Sequence, residues 1–227
     1  MSDAITPKVR PADRPQSLGE EIANAISHGL GFLLAVASLP ILLSQMPDQS
    51  GLLHGVAVSV FSVTMMLLYL VSAVYHALPE GRAKLWMNRF DHAAIYLFIA
   101  GSYTPFALGV LRGGWGWTLF AVIWAAAIAG VVVKLLNRLR HPWLSTGLYV
   151  AMGWMAVFAA GPLLQRMAPA GIAWLVAGGL CYTLGAVVFM FDGRIRYGHF
   201  VWHLFVLGGS TCHFFATLWH AQGAMPA

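Results

Sequence analysis

Two histidines lie four residues apart in the segment His199-Phe-Val-Trp-His203. Four residues turn an α-helix by roughly 400°, so both imidazoles would project from one face, about 6 Å apart along the axis. Two helical histidines with this spacing can bind one zinc ion. The alternative is a pair of interfacial histidines that contact lipid headgroups and water, because a bare HxxxH motif is short.

Three further groups of polar residues interrupt apolar sequence. They are Ser72-Ala-Val-Tyr-His76, Asn88-Arg89-Phe90-Asp91-His92 and Glu20-Glu21-Ile-Ala-Asn24-Ala-Ile-Ser27-His28. Ionisable groups inside membrane spans are costly, so those that occur there are functional candidates. Structural interpretations also exist, since Ser72 can bond back to a helix carbonyl and Asp91 can pair with Arg89 or favour a helix N-terminus. We expect Glu20 to lie at a solvated helix start.

The composition indicates that membrane helices position these residues. Of the 227 residues, 59% are hydrophobic and only 9% are charged, whereas soluble domains have about 25% charged residues. Residues 120–133 lack the alternation of polar and apolar residues that is typical of membrane β-strands. We therefore predict an all-α integral membrane protein. The formal net charge of +5 is explained by membrane topology, without a nucleic-acid partner.

Seven apolar runs are long enough to cross a hydrocarbon core of ~30 Å, which takes about 20 helical residues. These predicted spans cover residues 22–43, 52–78, 90–111, 115–136, 143–164, 172–191 and 199–220. We predict a flexible cytosolic tail over residues 1–19 and a single seven-helix membrane domain over residues 20–227.

The positions of the basic residues predict the orientation. All of the 13 Lys and Arg residues except Arg112 and Arg166 fall on one side of the seven spans, and cytoplasmic loops carry an excess of Lys and Arg. The N-terminus is therefore predicted to be cytosolic and the C-terminus to lie outside. Span 2 then brings His76 to the cytosolic side, where His199 and His203 begin span 7. Three histidines match the ligand count of a catalytic zinc site, which leaves a fourth position for water.

Structural roles suffice for the other histidines and for the cysteines. We expect His54 and His220 to lie at the surface, at the outer ends of spans 2 and 7. His213 is expected to hydrogen-bond within the bundle. Cys181 and Cys212 lie in apolar stretches and are expected to be free thiols buried in the membrane.

The polar motifs resemble those of the bacterial hemolysin III proteins, which belong with the progestin and adipoQ receptors and, more distantly, with alkaline ceramidases. The matching patterns are ExxNxxSH at residues 21–28, SxxxH at 72–76, RFDH at 89–92 and GHxxWH at 198–203. The resemblance implies a zinc ion held by His76, His199 and His203. It also implies that Asp91 and Ser72 lie near the water on that zinc. Family members are associated with lipid amide hydrolysis, membrane-fluidity homeostasis or haemolytic activity.

The leading hypothesis is a zinc-dependent hydrolase of the bacterial inner membrane that acts on a lipid amide or a related bond. Membrane lipids would be its partners, with a lipid substrate in the bundle interior. Asp91 would orient or deprotonate the water, and Ser72 could donate a hydrogen bond to the oxyanion.

Other functions remain open at this point. The principal alternative is a non-enzymatic membrane-stress regulator or a haemolysin-like lytic factor, in which a closed four-ligand site holds structural zinc. A bis-histidine haem site, in which His28 faces His76 or His203, is conceivable. A retinal pigment is disfavoured because span 7 contains no lysine. The sequence assigns no role to Glu21 or Asn24.

Overall fold

The computed structural model describes residues 14–47, 51–139 and 141–221. These residues form an all-α structure, which confirms the all-α part of the prediction. Seven long helical segments follow one another along the chain, and the fifth is divided in two. The helices are α1 (Leu18–Ser44), α2 (Gly51–Ala77), α3 (Arg82–Leu108), α4 (Gly114–Leu135), α5 (Pro142–Gly153), α6 (Ala160–Arg166), α7 (Pro169–Phe191) and α8 (Gly198–His220).

Six of the segments are long and apolar enough to cross a membrane. They are α1, α2, α4, the fifth segment over Pro142–Arg166, α7 with the turn that follows it, and α8. Large apolar side chains cover their outer faces, such as Leu33, Ile128 and Leu184, which are all more than half exposed. In water an apolar surface of this extent would drive association, so these faces suit contact with lipid. The protein is thus a multi-pass membrane protein.

Helix α3 is less apolar than the other six segments. Lys84, Arg89 and Asp91 lie in its first three turns, and most of its side chains from Ala93 to its end are buried. It packs against α2, α4, α5 and α8. Polar groups are tolerated in a membrane helix where they face protein instead of lipid. The membrane crossing of α3 and the cytosolic position of the N-terminus stay predictions.

The fifth segment is not the continuous helix that was predicted over residues 143–164. A 3₁₀ turn over Met155–Ala159 separates α5 from α6. The Tyr103 hydroxyl lies 2.6 Å from the carbonyl oxygen of Gly153 and accepts a hydrogen bond from the Ala156 N–H at 2.9 Å. Trp154 Nε1 donates to Thr183 Oγ1 at 3.0 Å. Side chains of α3 and α7 thus bond groups at the interruption, as an interrupted helix at membrane depth requires.

Helices α2 and α3 approach closely where Gly101 faces Thr64. A β-carbon at position 101 would collide with the Thr64 side chain, so only glycine permits this distance. Small residues serve the same purpose at many membrane helix interfaces. The close contact joins the middle of α2, the helix that contains Ser72 and His76, to α3, the helix that contains Asp91.

Candidate metal centre

Three histidines meet where the end of α2 contacts the beginning of α8. His76 is the penultimate residue of α2, and His199 is the second residue of α8. The ring centroids of His199 and His203 are 4.8 Å apart, and that of His76 lies 5.0 and 5.1 Å from them. One ring nitrogen from each lies within 4.8 Å of the others. This buried cluster could hold a metal ion.

The Nδ1 atom of each of these histidines faces a protein partner. The pairs are His76 with Glu21 Oε2 at 2.7 Å, His199 with Asp192 Oδ2 at 2.7 Å, and His203 with Ser27 Oγ at 3.0 Å. Metal-binding histidines usually place one ring nitrogen on such an outer partner, which fixes the ring orientation and leaves the other nitrogen for the metal. Nε2 of His76 is buried and has no partner among the described residues. The three Nε2 atoms are therefore the candidate ligand atoms.

The donor set fits zinc. Imidazole nitrogen suits zinc, copper, iron and nickel, and three protein ligands with a fourth open position are typical of catalytic zinc sites. His76, His199 and His203 would hold such an ion. Assignment of the three residues as zinc ligands stays a prediction.

Ser72 and Asp91 lie beside the three histidines. Ser72 is 1% exposed, and its hydroxyl group faces the His28 ring. Arg89 does not pair with Asp91 among the described ion pairs, because its guanidinium lies over the Trp86 ring, 4.6 Å from the centroid. Both Ser72 and Asp91 line the cavity that reaches His199 and His203. Their catalytic roles stay predictions.

His28 of α1 packs against the histidine cluster. Its ring stacks on that of His203 with centroids 3.4 Å apart and an interplanar angle of 10°. Its Nδ1 lies 2.7 Å from Ser72 Oγ. Because the two rings are in direct contact, no haem can fit between His28 and His203. The stack therefore argues against that arrangement of a bis-histidine haem site.

Glu21 joins three helices, a role that the sequence did not assign. Its second oxygen, Oε1, accepts a hydrogen bond from Lys84 Nζ at 2.7 Å, and the same ammonium donates to the Leu78 carbonyl at 3.1 Å. Glu21 of α1 thus contacts both the metal-site histidine of α2 and the first turn of α3. Asn24 lies one turn further along α1, and its Nδ2 is 3.5 Å from Nδ1 of His76. The motif at residues 21–28 was the available signal for both residues.

Two expectations about exposure were wrong. Glu20 is 3% exposed instead of solvated, because it accepts hydrogen bonds from Arg14 and from the Tyr197 amide. His54 is 4% exposed and so does not lie at the surface.

His213 packs edge-on against Tyr182 at 5.3 Å, but its Nδ1 has no hydrogen-bond partner among the described residues. Cys181 and Cys212 are free thiols, as expected.

A cavity of about 560 Å³ leads away from the histidines. Near the cluster, its lining includes Ser72, Asn88 and Asp91 beside His199 and His203. The remaining lining comes mostly from apolar side chains of α3, α5, α6, α7 and α8. No Lys or Arg contributes to the lining within the described part of the chain. A cavity that is mostly apolar with a small number of polar groups is typical of a site for an amphipathic ligand.

The similarity of this chain to known proteins agrees with the family that the polar motifs indicated. The family model described as Haemolysin-III related matches residues 16–214. The chain belongs to this family. This hemolysin III family protein is 42% identical to "Hemolysin-3" of Bacillus cereus over 205 residues, which cover 90% of this chain and 93% of that protein.

Two further relatives extend the comparison. "Hemolysin-3 homolog" of Bacillus subtilis (strain 168) is 39% identical over 204 residues, which cover 90% of this chain and 95% of that protein. The human "Monocyte to macrophage differentiation factor" is 27% identical over 206 residues, which cover 87% of this chain and 82% of that protein. No solved structure shows significant similarity to this chain.

Proposed function

We propose that this hemolysin III family protein is a zinc-dependent hydrolase of the bacterial inner membrane, which cleaves a lipid amide or a related acyl bond and serves membrane homeostasis. The observation that supports this proposal most strongly is the position of the three histidines. His199 and His203 line a largely apolar cavity together with Asp91 and Ser72, and His76 completes the cluster beside them.

The residues of the site have complementary roles in amide hydrolysis. When bound, zinc supplies a Lewis acid that lowers the pKa of water to about 7 and polarises a carbonyl group. Asp91 accepts a proton from the attacking water and returns it to the leaving nitrogen as the C–N bond breaks. Ser72 donates a hydrogen bond to the oxygen that gains negative charge. The products are a carboxylic acid and an amine.

The cavity favours a lipid as the substrate. Its apolar lining along α5, α6 and α7 can surround an acyl chain, while the polar group to be cleaved lies at the histidines. Val157 and Leu164 line the cavity and are more than half exposed on the outer surface of the fifth segment. A lipid can therefore contact this wall of the cavity from the bilayer.

Metal analysis and a lipid screen test the proposal. Purified protein should contain close to one zinc per chain and should release fatty acid from an extract of bacterial lipids. His203→Ala should lose most of the zinc and the turnover, since two remaining ligands hold the ion poorly. His141→Ala, which changes an exposed histidine in the loop before α5, is the matched control and should retain both. Zinc-replete protein that converts no lipid in the extract would refute the hydrolase.

The names of the Bacillus relatives favour a lytic factor as the second candidate. Adding the same purified protein to erythrocytes tests this alternative. Lysis that persists in His203→Ala would indicate an activity independent of the metal centre.

A further inference from the structure

Two of the candidate ligands lie at helix ends, where the backbone is least constrained. His76 is one residue from the end of α2, and His199 is one residue from the start of α8. The first N–H groups and the last carbonyl groups of a helix lack intrahelical partners, and such ends open locally at low free-energy cost. A metal site built on these ends needs contacts from outside the two helices.

Adjacent residues of α1 provide contacts to both helix ends. Consecutive helical side chains point about 100° apart, and here Glu20 and Glu21 face different neighbours. Glu21 bonds directly to the ring of His76. Glu20 instead contacts the turn that precedes His199, where its Oε1 accepts a hydrogen bond from the Tyr197 amide at 2.7 Å.

Arg14 extends this contact along the turn between α7 and α8. Its guanidinium bonds to both carboxylate oxygens of Glu20, at 2.5 and 2.6 Å. Its Nη2 also donates to the carbonyl of Ile195 at 3.1 Å, and its backbone N–H donates to the carbonyl of Gly193 at 3.2 Å. Arg14 and Glu20 therefore bond three backbone groups within the five residues 193–197.

The turn between α7 and α8 contains the outer hydrogen-bond partner of His199 and the residue that immediately precedes α8. Asp192, which bonds to Nδ1 of His199, begins the turn. Tyr197, which ends it, has a left-handed backbone with φ of 58°, an uncommon conformation for a residue other than glycine. A bond to the Tyr197 amide stabilises that conformation immediately before α8.

We propose that Glu20 is a positioning residue for the metal centre, which acts through Arg14 and the Tyr197 amide to hold Asp192 and His199 in place. This inference rests on the proposed metal binding. Glu20 touches neither the ion nor the substrate. Its effect is confined to the ligand that the α7–α8 turn supports, while Glu21 supports His76.

The test measures the zinc dissociation constant by competition with a chromogenic chelator in detergent-solubilised full-length protein. Glu20→Gln should raise this constant about 10–100-fold, the usual cost of losing an outer partner of a metal ligand. Arg14→Ala should also raise the zinc dissociation constant. Because this variant leaves the Glu20 side chain in place, it provides a second test if Glu20→Gln folds poorly. Glu80→Gln is the matched control, since Glu80 is 87% exposed, and should retain the wild-type constant.

A double-mutant comparison identifies the ligand through which Glu20 acts. Coupled residues give non-additive effects, whereas independent residues add. Glu20→Gln should add little when Asp192, the outer partner of His199, is already replaced by asparagine, but should have its full effect in a Glu21→Gln background, where the outer partner of His76 is lost. Equal effects in both backgrounds would overturn the proposal, because Glu20 would then act on the whole fold.

The proposed zinc binding and the positioning role of Glu20 can be refuted by different results. Wild-type protein that binds no zinc would overturn the proposed function together with this inference. Wild-type protein that binds zinc, with unchanged affinity in both Glu20→Gln and Arg14→Ala, would refute the positioning role alone.

Discussion

Replacement of Glu21 by glutamine tests whether the outer partner of His76 helps to retain the metal. With Nε2 facing the ion, Nδ1 of His76 carries the proton and donates a hydrogen bond to Glu21 Oε2 at 2.7 Å. Lys84 Nζ donates a hydrogen bond to the other oxygen, Oε1, at 2.7 Å. Glutamine keeps one acceptor oxygen, but turns its amide N–H groups toward one of these two donors. One hydrogen bond is therefore lost, and the other loses its negative charge.

The neighbouring contacts limit the size of the effect. A hydrogen bond to a charged group contributes about 1.5–3 kcal/mol. The Lys84 ammonium retains the Leu78 carbonyl at 3.1 Å and the Glu80 carboxylate at 3.7 Å, so it does not become an unpaired buried charge. We therefore expect the free energy of unfolding of metal-free protein to fall by about 1.5 kcal/mol, the lower end of that range. The zinc dissociation constant should rise about 10–100-fold.

Chelator competition and thermal unfolding with and without zinc measure the two effects. The unfolding temperature of the zinc-loaded variant should fall further below wild type than that of the metal-free variant, because the bound ion stabilises it less. Glu80→Gln again provides the control for loss of one carboxylate near Lys84. A Glu21→Gln protein with the wild-type zinc dissociation constant would refute the role of Glu21 in orienting His76.

Three further predictions address the chemistry, the interrupted helix and the topology. Asp91→Asn should retain zinc but lose about 10²–10⁴ in lipid turnover; full activity in a zinc-replete variant would remove Asp91 from the mechanism. Tyr103→Phe should lower the free energy of unfolding by about 1–3 kcal/mol, since buried backbone groups at the 3₁₀ turn lose a partner, and an unchanged unfolding temperature would contradict this. A reporter fused after residue 227 should fold outside the cytoplasm, while one inserted in the loop over residues 137–141 should report the cytosol. Matching signals from the two sites would overturn the seven-span topology.

The sequence predicted the helices well because hydropathy governs membrane insertion. Apolar runs marked each long segment, and helical geometry alone placed His199 and His203 on one face. The interruption of the fifth segment was missed because it depends on the Tyr103 hydroxyl, which comes from another helix. No local pattern within residues 143–164 records that partner.

The outer partners of the histidines were harder to predict than the histidines themselves. The motif at residues 21–28 placed polar side chains near the cluster, but not which one bonds to which ring. Those pairings depend on helix rotation and on side-chain rotamers. Glu20 was assigned to solvent because its partner, Arg14, lies in a segment expected to be flexible. Asp192 was overlooked, although an acidic residue seven positions before His199 was a usable signal.

The polarity of α3 has a consequence for biogenesis. A helix with charged residues in its first turns and small polar residues near its end gains little from contact with acyl chains. Its burial in the finished bundle depends on α2, α4, α5 and α8. Nascent α3 would therefore leave the insertion machinery together with a neighbour, and the close packing of Gly101 on Thr64 makes α2 the nearest available one. Synthesis and packing would thus be linked for the helix that contains Asp91, so α3 should insert less completely in a Gly101→Val chain, in which the close contact with α2 is lost, than in the wild-type chain.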